Sequence, residues 1–189
     1  MEKFDLLTLG EVLLRLSPKE NKRIVRSMEF ESHVGGAELN VASGVSLLGL
    51  HTGIISKLPA NAIGELARSK VRSMNVSDDY LVWDHTEDAR LGSYFYESAT
   101  FPRKPQVVYD RKHSSITRIS IDEFPEEMYT STRCFHVSGI TLALCPEART
   151  CAVEMIKRFK QAGAMISFDV NFRMNLWTGA EAKECIEGI

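Results

Sequence analysis

Short apolar runs that alternate with helical patterns constrain this chain more than any single motif. Phe4-Asp5-Leu6-Leu7-Thr8-Leu9 reads as a buried strand ending at Gly10-Glu11, and a helix over about residues 37 to 48 follows. Leu39, Val41, Ala42, Val45, Leu47 and Leu48 predict that this helix is well buried, with Gly49 as its stop. Thr52-Gly53-Ile54-Ile55-Ser56 reads as the next strand, and Asn61 as the cap of a helix carrying Ile63, Leu66, Ala67, Val71 and Met74. Cys134 to Val137 is a third strand, Pro146 to Ala162 a helix ended by Gly163, and Ala164 to Phe168 a fourth strand. Buried strands separated by helices predict an α/β fold: a parallel sheet covered on both faces. At 189 residues, 44% of them hydrophobic, there is chain enough for one substantial core, so residues 1–189 are expected to lie in one domain.

Two stretches, roughly 12–34 and 90–120, break this rhythm with period-two alternation. Tyr94 and Tyr96 share one face of their strand, Val107, Tyr109 and Arg111 share a face of theirs, and Phe101-Pro102-Arg103-Lys104-Pro105 turns the chain between them. Strands with one polar face predict a small antiparallel sheet projecting from the main one.

The polar clusters fall where such a sheet binds ligands, outside the carboxyl ends of its strands. Gly10-Glu11 follows the first strand, Ser138-Gly139 the third, and Asp169-Val170-Asn171-Phe172-Arg173 the fourth. If the last segment is extended, Asp169, Asn171 and Arg173 point one way while Val170 and Phe172 turn to the core. Arg173 then either holds a carboxylate through two parallel hydrogen bonds or pairs with Asp169. Tyr109 and Arg111 offer a hydroxyl and a second charge from the small sheet.

Gly35-Gly36 opens the first helix and Asn40 lies one turn after Gly36, so bare backbone and an amide can face one ligand. The alternative is a plain turn, with Asn40 bonded to a neighbouring loop. The segment Gly35-Gly36-Ala37-Glu38-Leu39-Asn40-Val41-Ala42 resembles the amino-terminal signature of the ribokinase (phosphofructokinase B) family of carbohydrate kinases. His136-Val137-Ser138-Gly139-Ile140-Thr141, Pro146-Glu147-Ala148-Arg149 and Asp169 to Arg173 through Leu176-Trp177 are similar to the 2-keto-3-deoxygluconate kinases of that family, and the likeness runs from Leu9 to Trp177.

The resemblance implies a ribokinase-like fold whose small β-sheet is a lid over the sugar and often a dimer surface. It implies that Gly35, Gly36 and Asn40 contact sugar hydroxyls, that Tyr94 and Tyr109 close over the sugar, and that Arg111 and Arg173 hold an acid substrate's carboxylate. Glu11, Asp169 and Asn171 are expected in support. ATP and Mg²⁺ are the implied cofactors. The family's glycine-rich G-A-G-D segment, whose aspartate deprotonates the attacking hydroxyl, has no counterpart among these residues, so the catalytic half is expected beyond Ile189. The pattern also departs from the family at Asp110, between Tyr109 and Arg111, and at Lys57-Leu58-Pro59-Ala60-Asn61. Besides a sugar-acid kinase, the residues admit a kinase for fructose or a nucleoside, or a non-catalytic sugar-acid binder. A dinucleotide-binding protein is disfavoured, because Gly35-Gly36 lacks the G-x-G-x-x-G spacing.

A formal charge of -2 gives no footprint for nucleic acid or an anionic membrane. No apolar run approaches the ~18 residues needed to span a bilayer, and no basic-then-apolar leader opens the sequence, so a cytoplasmic protein is expected. Cys134, Cys145, Cys151 and Cys185 form no C-x-x-C pair and read as free thiols. His136, two residues from Cys134 on one strand face, reads as a core residue rather than a metal ligand.

Overall fold

The computed structural model describes residues 3–189. Five strands form one parallel sheet: β1 (Phe4–Leu9), β4 (Thr52–Pro59), β5 (Ser77–Asp84), β8 (Thr132–Ser138) and β9 (Met165–Asp169), in the order β5-β4-β1-β8-β9. The helices are α1 (Ala37–Leu47), α2 (Ala62–Ser73), the short α3 (Gly139–Leu142), α4 (Pro146–Gln161) and α5 (Gly179–Glu187). A second sheet is built from β2 (Leu13–Pro18), β3 (Phe30–Gly35), β6 (Gly92–Glu97) and β7 (Gln106–Asp110), in the order β3-β2-β6-β7.

Alternation along the parallel strands divides the core in two. Leu7, Leu9, Ile55, Phe135 and Val137 pack with Ala152, Met155 and Phe159 of α4 on one face. Ile54 and Leu58 pack with Leu39 and Ala42 of α1 and with Ala67 and Val71 of α2 on the other. The helix signals hold at both ends. Asn61 Oδ1 accepts from the Ile63 and Gly64 amides at 3.0 and 3.1 Å, and Gly49 and Gly163 take left-handed φ of 89° and 91° after their helices.

Two sequence expectations need correction. The small sheet is mixed rather than antiparallel, since β2 and β6 run parallel at its centre and each pairs antiparallel with its outer neighbour, β3 or β7. Both central strands leave the main sheet from the same rim, so they enter the second sheet in the same direction. Helix α1 is buried along one stripe only: Leu39, Ala42 and Ser46, spaced three and four apart, face the sheet, whereas Leu47 and Leu48 are 84% and 81% exposed. The sequence reading passes over β5, because Ser77-Asp78-Asp79 opens it and its outer edge is unpaired.

Candidate functional site

The carboxyl ends of β1, β8 and β9 meet the second sheet around a cleft of about 380 Å³. Glu11 follows β1, Gly36 and Asn40 come from the start of α1, and Ile140 comes from α3. Tyr94 and Tyr109 are direct cross-strand partners on β6 and β7, with ring centroids 5.6 Å apart, and both line the cleft. Arg111 and Lys112 follow β7; Asn171, Arg173, Asn175 and Leu176 follow β9. Elements far apart in sequence thus bring eight of the ten expected residues to one place.

Gly35 and Asp169 are the two that do not line it. Gly35 pairs with Leu13 inside the small second sheet. Asp169 ends β9, and its Oδ1 accepts from the Asn171 amide at 2.9 Å. That turn, with Asn171 at φ 35°, replaces the expected extended segment, and Val170 and Phe172 are exposed rather than turned to the core. Arg173 and Asn171 nevertheless reach the cleft through the turn. Arg173 forms no ion pair with Asp169 or with any other described carboxylate.

Gly36 is required by space. A Cβ there would overlap the backbone carbonyl oxygen of Glu11, so the start of α1 lies directly on the chain leaving β1. The Glu11 side chain is buried. Its Oε2 accepts from Arg111 Nη2 and its Oε1 from Ser114 Oγ at 2.6 Å. Burial pushes the Glu11 carboxyl above the ordinary carboxylate range, and the Arg111 guanidinium beside it pulls in the opposite direction. Arg111 Nε is buried without a hydrogen-bond partner among the described residues.

Glu38 escaped the sequence reading. It is fully buried in the first turn of α1, and its Oε1 accepts from the Ser138 amide (3.1 Å), Ser138 Oγ (2.6 Å) and Thr141 Oγ1 (2.7 Å). Burial raises its pKa against those hydrogen bonds. Its side chain also fills the space a Cβ on Gly10 would need. An acidic residue inside an apolar helix was the available signal. Leu13, Lys112, Ile140, Asn175 and Leu176 also line the cleft without having been singled out as site residues.

His136 is buried and its Nδ1 lies 2.9 Å from Ser167 Oγ; burial lowers its pKa, as suits a core histidine. Among the described residues no three His, Cys, Asp or Glu side chains are grouped as metal ligands. No helix among them is long and apolar enough to cross a membrane.

Residues 3–189 match a family model described as pfkB family carbohydrate kinase. The chain belongs to this family. This pfkB chain is 35% identical over 185 residues to a 2-dehydro-3-deoxygalactonokinase of Haloferax volcanii, covering 98% of the chain and 57% of the relative. The crystal structure of a 2-dehydro-3-deoxygluconokinase from Thermotoga maritima superposes with a TM-score of 0.91 at 36% identity, over 97% of this chain and 56% of that one. An uncharacterized sugar kinase from Pyrococcus horikoshii, solved in complex with ATP, gives a TM-score of 0.81 at 28% identity, over 96% of this chain and 58% of that one. The pfkB chain therefore spans little more than half the length of the relatives it matches.

Proposed function

We propose that the protein carrying this chain transfers the γ-phosphoryl group of ATP to a primary hydroxyl of 2-keto-3-deoxygluconate or a related sugar acid. The observation that carries this reading is the pair Arg111 and Arg173, one at the end of the lid and one beyond β9, facing the same cleft as Gly36 and Asn40. Guanidinium groups bind a carboxylate through paired, charge-assisted hydrogen bonds. Gly36 and Asn40 serve the hydroxyls, and the two tyrosines form an apolar wall that excludes water above the sugar. The names of the relatives, which describe kinases of dehydro-deoxy sugar acids, support the same substrate class.

Phosphoryl transfer depends on positioning and on neutralising the charge of the transferring group. Residues 1–189 contain no G-A-G-D segment to supply the base and the amide cradle. They are read as the sugar-binding part of one domain, binding sugar acid weakly and turning nothing over alone, with Mg²⁺ bridging the nucleotide phosphates in the complete enzyme. Pairing of two copies through the lid is part of this reading, supported by the exposure of Val107 and Val108 on β7.

The test is ADP release by the full-length protein with 2-keto-3-deoxygluconate or fructose, in the native sequence and in Arg173→Ala. The expected result is turnover of the acid, lost in the variant. Turnover of fructose alone, unaffected by Arg173→Ala, establishes a neutral-sugar kinase instead. Acid-dependent ADP release from the 189-residue chain itself overturns the division of labour.

A further inference from the structure

The cleft is lined by three cations, Arg111, Lys112 and Arg173, and two acids, Glu11 and Glu38. Their charges are not equivalent. Arg111 is held against the buried carboxylate of Glu11, so its charge is largely compensated before any ligand arrives. Glu38 is satisfied by an amide and two hydroxyls and makes no ion pair. Lys112 and Arg173 remain, neither within ion-pair distance of a carboxylate among the described residues. Lys112 enters from the lid side and Arg173 from the loop after β9.

The turn that carries Lys112 is built rather than loose. Arg90 donates from Nη1 to the Lys112 carbonyl at 3.0 Å and from Nη2 to the Asp110 carbonyl at 3.1 Å, and it pairs with the Asp110 carboxylate at 2.8 Å. Between those anchors Arg111 is held by Glu11, and beyond them His113 takes a left-handed φ of 56° that leads into Ser114, the other donor to Glu11. The Ser115 amide closes the loop onto the Arg90 carbonyl at 2.9 Å. The backbone around Lys112 is therefore fixed at both ends, and Lys112 is the cation lining that side of the cleft that has no ion-pair partner among the described residues.

We propose that Lys112 is a specificity-determining residue: with Arg173 it supplies the net positive charge by which the cleft prefers an acid sugar to a neutral one, while Arg111 chiefly orients the carboxylate. The proposal rests on the sugar-acid reading given above. A lysine provides a point charge without a fixed fork, so it selects for charge more than for geometry.

The test is a ligand-observed NMR titration of the full-length protein with 2-keto-3-deoxygluconate and, separately, fructose, extended to millimolar concentrations. Lys112→Met, which keeps the apolar stem, is expected to weaken acid binding on the order of tenfold, the usual size of one lost charge-assisted contact. Fructose binding stays unchanged, Lys112→Arg restores the acid preference, and the salt dependence of acid binding flattens in Lys112→Met. If Lys112→Met binds acid as tightly as the native chain while Arg173→Ala does not, the proposal is wrong and the acid site stands. Equal weakening of both sugars also overturns it, since that marks a structural role. No saturable acid binding by the native full-length protein, or no preference over fructose, removes the sugar-acid reading and the proposal together.

Discussion

Arg111, just past the end of β7, donates from Nη2 to the buried carboxylate of Glu11, 100 residues earlier at the end of β1. One ion pair thus ties the second sheet to the rim of the parallel sheet. Gly92, at the start of β6, has no room for a Cβ because Glu11 Oε1 lies there, so the same carboxylate packs against a second lid strand.

Removing this carboxylate leaves a largely buried guanidinium unpaired. Glu11→Ala is expected to destabilise the chain by about 3–5 kcal/mol, the usual cost of breaking a buried pair from one side. Urea denaturation of the native and variant chains reads this directly. A loss below ~1 kcal/mol is the behaviour of a solvated surface pair and contradicts the role assigned to Glu11.

The two adjacent glycines are expected to respond differently to alanine. At Gly36 the new methyl meets the Glu11 backbone carbonyl, which cannot move without displacing β1 from α1. At Gly35 the nearest atom is Asn40 Oδ1 at 3.5 Å, an ordinary contact. Gly36→Ala should cost about 2 kcal/mol or more, in the range of core overpacking, and Gly35→Ala less than ~1 kcal/mol. Equal midpoint shifts in thermal unfolding contradict the assignment.

Glu38 gives a pH dependence of definite sign. Burial raises its pKa in the folded chain above the ordinary glutamate value of 4.5, so the folded state holds a proton that the unfolded state has released. Its contribution is most favourable below about pH 4.5 and is lost as pH rises through the raised folded value. Glu38→Gln keeps an oxygen to accept from Ser138 and Thr141 but cannot ionise. The difference in melting temperature between variant and native chain should therefore move in favour of the variant as pH rises from 4 to 8. A difference independent of pH contradicts burial of an ionisable Glu38.

Much of the cleft's lining was legible because the signals that point to it are local. Gly36 and Asn40 are one helical turn apart, Tyr94 and Tyr109 lie in alternating strands, and Glu11 and Arg173 follow apolar runs. Eight expected residues consequently meet in the cleft. Of what was misread, Glu38 depended on distant partners and Asn171 on a local turn. Glu38 looks like a favourable first-turn acid, and only contact with Ser138 and Thr141 makes it a buried anchor. Asn171 breaks the expected extension because Asp169 captures its amide.

Alternating runs of Leu, Ile, Val and Phe determined the parallel sheet and its covering helices, since burying period-two and period-3.6 faces leaves few other solutions. The glycines and the asparagine cap determined where those helices begin and end. Tertiary structure decided the rest: that the second sheet's central strands run parallel, that α1 leaves Leu47 and Leu48 in solvent, and that Glu11 compensates Arg111 while Lys112 has no such partner among the described residues. These outcomes depend on which segments become neighbours across 100 residues or so, and pairing and desolvation energies exist only once those neighbours have met.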